Sequence, residues 1–432
     1  MIKRFLIATL FVPALCVAQP IRTGESALGD WRSDVPGLTR HITQADLPQP
    51  AATPSSSRGP RVTQRPAGAL PTVPAGFSVG VWATGLDMPR ILRTAPNGDV
   101  FLAESGAGRI RVWRPQAGSG LAGPGATFAK NLNQPFGIVF WPPAQPRYVY
   151  VAETNRVVRY PYGGGSEPTG PAEVVIPSLP EGGHWTRDLA ASPDGSILYV
   201  SVGSSSNVAR GMQTTTVPGA TAAAAGVASG EETGRAAVFR FAPAGGPLEL
   251  VASGIRNCVG LAIEPKTKAL WCATNERDGM GDNLPPDYAS RITPGAFYGW
   301  PWFYIGDHED PRHRGERLDL AGRVTTPDVL FQPHSAPLGI TFYDGQSFPP
   351  DFRGDGLVAL HGSWNRSRRT GYKVVRILLH DGVPTGAYQD FMTGFVANDD
   401  SVWGRPVGLT VLRDGSLLVS EDGNGTIWRV SH

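Results

Sequence analysis

The sequence predicts an all-β protein, a six-bladed β-propeller, and three observations carry that prediction. From residue 76 onward one theme recurs six times, an apolar run, a turn and a second apolar run. It reads "PRILRTAPNGDVFLAESGAGRIRVWR", "PFGIVFWPPAQPRYVYVAETNRVVRYPY", "TRDLAASPDGSILYVSVGS", "CVGLAIEPKTKALWCATNE", "PLGITFYDGQSFPPDFRGDGLVALHGSW" and "PVGLTVLRDGSLLVSEDGNGTIWRV". Asn-Gly and Asp-Gly dipeptides between branched and aromatic runs are strong hairpin signals, and repeated sheet units of this length are blades. Finally, the early run "FSVGVWATG" suits a strand that completes the last blade and closes the ring.

The elements follow in chain order. "MIKRFLIATLFVPALCVAQP" places Lys3 and Arg4 before the apolar stretch Phe5–Ala18, and small residues precede Gln19. This pattern predicts a secretory signal peptide over residues 1–18, too short to span a membrane, and a periplasmic or secreted mature protein. Losing Lys3 and Arg4 takes the net charge from +2 to 0, which gives no electrostatic reason for nucleic acid or an anionic membrane as partner. No other segment reads as a membrane span. Residues 19–75 carry seven prolines between Leu47 and Ala75 and read as an extended leader without a core of its own. Residues 76–432 form the propeller domain. Cys258 and Cys272 lie on successive apolar runs and could pair across a hairpin or remain buried thiols.

In a propeller, residues before the first strand of each unit and just after the second are gathered at one mouth of a central channel. That rule brings together His184 and Arg187, Arg256 and Asn257, residues 275–283, His334, residues 361–366, Arg405, and Glu421 with Asp422. His184 suits a general base near neutral pH, or a loop histidine satisfied by backbone. Arg256, Arg366 and Arg405 suit a polyanionic ligand, because guanidinium forks bind carboxylates and stack on flat rings, although each alone could tie blades together. The loop "ATNERDGMGDN" holds Glu276, Asp278 and Asp282 among glycines. It is either a site for a hard cation such as Ca²⁺ or a charged turn. Phosphate loops, Gly-x-Ser-x-Gly elbows and H-E-x-x-H spacings are absent, so nucleotide cofactors, serine triads and zinc proteases are unsupported.

The stretches "RNCVGLAIEP", "NERDGMGDNLPPDY", "AFYGWPW", "PHSAPLGITFYDG", "HGSWNRSRRTGYKVV" and "GRPVGLTVLRDGSLLVSEDGNGTIWRV" resemble the pyrroloquinoline quinone (PQQ)-dependent sugar dehydrogenases of the sorbosone dehydrogenase and soluble aldose dehydrogenase type. The similarity runs from about Gly29 to the C-terminus. It implies PQQ at the channel mouth, a Ca²⁺ ion against it, and oxidation of the aldehyde or hemiacetal carbon of a sugar. His184 matches the base, and Arg256 the arginine that polarises the quinone. Cofactor contacts are expected from Arg187, Arg256, Asn257, His334, Trp364, Arg366, Arg405 and Asp422, and Ca²⁺ ligands from Glu276, the backbone at Arg277, and Asp282. The chain has no haem-attachment motif, so electrons would leave to a separate acceptor, a cytochrome or the quinone pool. Two alternatives stand beside this reading: a metal-dependent sugar lactonase using Glu104, Glu153 and Glu276 after equivalent strands, and a non-catalytic sugar-binding propeller.

Overall fold

The computed structural model of the protein describes residues 21–115, 121–209, 211–212 and 221–432. The expected signal peptide lies outside the described residues. Six antiparallel sheets stand around a channel. Blade 1 consists of Pro89–Thr94, Val100–Glu104, Arg109–Trp113 and Ala126–Ala129, and blade 2 of Ile138–Trp141, Tyr148–Ala152, Val157–Pro161 and Glu173–Ile176. Blade 3 runs Leu189–Ala191, Leu198–Val202, Ala237–Phe241, Glu249–Ser253, and blade 4 Cys258–Ile263, Leu270–Thr274, Tyr288–Arg291, Val329–Leu330. Blade 5 is Pro337–Phe342, Gly356–Leu360, Lys373–His380 and Val383–Met392. Blade 6 takes Pro406–Val411, Leu417–Glu421 and Thr426–Ser431, and its outer strand is the early run Ser78–Ala83, paired as Ser431↔Ser78 and Val430↔Val79. The first strand of the domain thus locks onto the last, which hides the sheet edge that an open ring would expose.

The innermost strands of neighbouring blades touch all the way round. These strands are apolar on both faces, as in Cys258–Ile263 and Pro406–Val411, because one face meets the channel and the other the next blade. Ile91, Phe136, Val259, Leu338 and Val407 from five different blades form an apolar plug inside the channel. Cys258 and Cys272 are joined as a disulfide across the two inner strands of blade 4, with Cα atoms 5.8 Å apart. No helix among the described residues is long and apolar enough to cross a membrane.

The leader is tied more tightly than its composition suggests. Thr39–His41 adds a fifth strand to blade 5, and Arg61–Val62 pairs in parallel with Ser401–Val402. Ala27, Leu28 and Ile42 enter the same apolar cluster as blades 4 and 5. The Arg40 side chain is fully buried between Asp34 and Asp390 at 2.9 and 2.8 Å, and buried Lys373 bonds the same two carboxylates at 2.7 and 2.8 Å. Such a network resists the loss of any one member, since an unpaired buried charge costs about 3–5 kcal/mol. Proline-rich composition reports a lack of regular structure, and it is silent about these long-range charge pairs.

Candidate active site at the mouth of the channel

Strand order places the segments before each inner strand and after each second strand at one end of the channel. In blade 3 these are residues 184–188 and 203–206. The His184 amide donates to the Ser204 carbonyl at 3.0 Å, and Nδ1 lies 2.8 Å from that carbonyl and 3.1 Å from Ser204 Oγ. Ser204 Oγ gives its own proton to the Ser206 carbonyl, so both neighbours of Nδ1 are acceptors and the proton belongs on Nδ1. Nε2 is then the basic nitrogen; it has no partner among the described residues and is not sealed off as a buried atom. Burial, aided by the Arg256 charge, pushes the imidazole down to about 3, so it is neutral at working pH.

Blade 4 supplies Arg256 and Asn257 beside it. A Cβ on Gly203 would stand 2.8 Å from His184 Cβ and 2.3 Å from Asn257 Oδ1, so only glycine lets these two side chains approach across it. Asn257 Oδ1 and Arg256 Nε are buried polar atoms without a partner. Arg256 Nη1 donates to the carbonyls of Glu276 at 2.8 Å and Asn275 at 3.4 Å, and Nη2 lies 3.5 Å from Asp278. Asp278 also accepts from Asn365, while His334 Nδ1 stands 3.6 Å away, beyond a hydrogen bond. Burial alone would raise the Asp278 carboxyl, but His334 and Arg256 hold it below its usual range, and it is ionised.

Blades 5, 6 and 1 close the far side. His361 Nε2 donates to Asp422 Oδ1 at 2.8 Å, and Arg90 pairs with the other Asp422 oxygen. The Arg90 guanidinium carbon lies 5.3 Å from the Trp185 ring and 5.5 Å from Phe136, which joins this side of the mouth to the His184 loop. Arg405 forms no ion pair among the described residues; its Nε makes one long bond of 3.4 Å to the His361 carbonyl. Trp364 is 49% exposed between buried Ser363 and Asn365, and its carbonyl accepts from the leader amide of Arg58.

The residues expected from sequence therefore separate into two groups. His184, Arg256, Asn257, Arg405, Asp422 and, at the rim, Trp364 meet at the mouth. Arg187 and Arg366 are turned to other tasks. Arg187 is fully buried and donates to the carbonyls of His184, Thr186 and Pro180, fixing the loop that carries His184. Arg366 donates to Leu28, Gly29 and Asn283 and so holds the leader. His334 Nε2 donates to the Gly281 carbonyl at 3.0 Å and braces the loop from behind.

The side chains at the expected Ca²⁺ positions are engaged by other groups of the protein. Arg277 pairs with Asp310, both Asp282 oxygens bond Ser367, and burial pushes the Glu276 carboxyl up to about 8, against the pull of Arg256, which leaves it protonated. No group of three His, Cys, Asp or Glu side chains suited to a metal occurs among the described residues. The hard donors at this loop are instead the Asn275 and Glu276 carbonyls and the Asp278 carboxylate, already gathered round the Arg256 cation. The lactonase set is corrected more firmly. Glu104 is bound by the Asp87 amide and Arg109, and Glu153 by the Asn133 amide and Arg156, so neither is free to join Glu276 on an ion.

Arg90 and Trp185 were not picked out from sequence, whereas His361 and Asn365 fall within the stretch 361–366 expected at the mouth. Arg90 had a signal, a charge at the second position of the run "PRILRT", where the inner strand begins. A second cavity of about 330 Å³ opens at the opposite end of the channel, walled by all six inner strands. Its one guanidinium, Arg93, is paired with Asp188 at 2.9 Å.

Comparisons with known proteins agree with the fold. A protein of Borreliella burgdorferi with no stated activity is 26% identical over 373 residues, spanning 83% of this chain and 90% of its own. The PQQ-dependent pyranose dehydrogenase of Coprinopsis cinerea is 36% identical over 120 residues, which are 24% of this chain and 16% of that enzyme. Among solved structures, the holo PQQ domain of the C. cinerea pyranose dehydrogenase superposes with a TM-score of 0.69 at 20% identity, covering 87% of this chain and 100% of that domain. The PQQ-bound aldose sugar dehydrogenase of Streptomyces coelicolor gives 0.56 at 19% identity, covering 83% and 99%. The TrAA12-like family model matches residues 71–288 and 315–432, nearly all of the propeller, and the chain belongs to that family.

Proposed function

We propose that the protein is a quinoprotein oxidoreductase that oxidises the aldehyde or hemiacetal carbon of a sugar with PQQ. The observation that carries this reading is a neutral histidine with an open Nε2, His184, beside a partnerless Asn257 oxygen and the Arg256 guanidinium at the mouth of the channel. The PQQ domain of the C. cinerea pyranose dehydrogenase and the PQQ-bound aldose sugar dehydrogenase of S. coelicolor, which share the fold, support it. PQQ would supply a two-electron hydride acceptor. Its three carboxylates suit Arg256 and Arg405, and its flat ring suits the indole surfaces of Trp185 and Trp364.

The chain's own part in the reaction follows from the geometry. His184 Nε2 takes the hydroxyl proton of the sugar as hydride leaves its carbon, and the Ser204 carbonyl steadies the imidazolium through Nδ1–H. Arg256 stabilises negative charge that develops on the oxygen facing it. The apolar plug below the mouth keeps water from competing. A Ca²⁺ ion would have to displace the Arg256 guanidinium from the carbonyls of Asn275 and Glu276, so the residues at this loop do not fit the metal as they stand and no step depends on it. The signal-peptide pattern supports export to the periplasm, and a separate acceptor, a cytochrome or the quinone pool, would remove the electrons.

Reconstitution tests this. Purified protein stripped with EDTA receives PQQ with and without Ca²⁺, and a reducible dye reports oxidation of a panel of aldoses and sorbosone. Dye reduction that needs PQQ is expected, and H184A should lower it about 10²–10⁴-fold while PQQ still binds. Normal turnover in H184A, or no binding of PQQ by the parent protein, overturns the reading.

A further inference from the structure

We propose that His361 and Asp422 form a second proton-transfer dyad at the mouth, serving the return of the cofactor to its oxidised state. This rests on the function proposed above. The Asp422 carboxylate sits 2.8 Å from His361 Nε2, which fixes the Nε2–H tautomer and leaves Nδ1 as the acceptor. Nδ1 has no partner among the described residues and is not a sealed, buried atom, so it opens on the channel as His184 Nε2 does. The two histidines stand on different sides of one mouth, linked by Arg90, which pairs with Asp422 and lies over Trp185 next to His184.

Two features mark the dyad as more than a structural tie. The groups that face His361 are Asp422 and Arg405 of blade 6 and Arg90 of blade 1. Arg90 lies on one Asp422 oxygen and His361 on the other, and although burial would raise the Asp422 carboxyl these two hold it well below the usual carboxylate range. Burial and Arg405 push the His361 imidazole down to about 4, so it stands neutral until a proton is delivered. An ionised aspartate behind an imidazole steadies the imidazolium once a proton arrives at the other nitrogen. In addition, the sugar half of the reaction gives His184 one proton to accept, whereas re-oxidation of a reduced quinone releases two electrons and two protons. With a one-electron acceptor such as a ferricinium dye or a cytochrome, each electron that leaves is matched by one proton. His361 Nδ1 takes that proton, Asp422 balances the charge, and the proton passes to water.

The two half-reactions separate the roles. PQQ-loaded full-length protein is mixed anaerobically with sugar, and the reduced enzyme is then mixed with ferricinium, each phase followed by cofactor absorbance. In H361A and H361Q the sugar phase should stay within about 2-fold and the ferricinium phase fall at least about 10-fold. PQQ affinity by fluorescence titration should hold within about 3-fold, and added imidazole should restore the ferricinium phase of H361A, which a structural role would not allow. H184A should show the opposite pattern. Equal slowing of both phases, no slowing of either, lost PQQ affinity or no imidazole rescue overturns the dyad while leaving the proposed function standing. A parent protein that fails to bind PQQ overturns both.

Discussion

Glu104 ends the second strand of blade 1 and Glu276 lies two residues beyond the second strand of blade 4, neighbouring positions of the repeat whose surroundings differ. Glu104 is bonded by Arg109 at 2.6 and 3.0 Å and by the Asp87 amide at 2.7 Å, and Glu153 in blade 2 repeats the pattern with Arg156. These are turn-fixing ion pairs. Glu276 accepts from its neighbour's amide at 3.1 Å, lacks an arginine of its own turn, and is protonated in its buried setting. In blade 6, Glu421 is held by the amides of Gly423, Asn424 and Thr426. The repeat keeps its architecture where it only has to close a blade. Around blade 4 the arginine comes from before the inner strand, Arg256, and faces the mouth instead of the turn.

The comparison can be broken most forcefully at the disulfide, which binds the strand that follows Arg256 and Asn257 to the strand that leads into Glu276 and Asp278. Replacing both cysteines by serine should cost about 3 kcal/mol of stability, since the bridge closes a loop of 14 residues, and denaturant unfolding measures it. R256K keeps the charge but loses the planar fork that reaches two carbonyls; PQQ titration should show affinity about 10-fold or more weaker, with little change in melting. E104Q should do the reverse. Loss of the charged bonds to Arg109, which is one-third exposed, should cost about 1–2 kcal/mol in denaturant melts and leave turnover unchanged.

The smallest effect sharpens the comparison through pH. A carboxyl raised from its ordinary value to about 8 on folding binds its proton more tightly in the native state. It carries no penalty below the unfolded value and an increasing one as pH rises toward 8. The melting temperatures of E276Q and the parent protein, without cofactor and in EDTA, should therefore coincide near pH 5. By about pH 9 the variant should melt a few degrees higher. A constant gap across that range would show that the Glu276 carboxyl is not raised on folding.

Much of the fold was legible because its signals are local. Turn dipeptides and alternating apolar runs depend on neighbours a few residues away, so six blades and the closing strand Ser78–Ala83 could be read directly. The site was partly legible for the same reason. Once blades are counted, topology alone carries His184, Arg256, Asn257, Arg405 and Asp422 to one mouth. It carries Arg187 and Arg366 there as well, and nothing local distinguishes an arginine that faces the mouth from one that turns back to clamp carbonyls.

Residue types and their order along the chain thus determined the propeller, the end of the channel where chemistry gathers and the presence of histidine, arginine and carboxylate there. Only the tertiary structure decided which of those groups remain available. It satisfied Arg366 with leader carbonyls, paired Arg277 with Asp310, protonated Glu276 by burial, joined Cys258 to Cys272, and left His184 Nε2 and His361 Nδ1 open. The physical reason is that a polar group's role depends on which partners reach hydrogen-bonding distance. At the mouth those partners come from blades more than a hundred residues away in sequence, as Arg90 and Asp422 do.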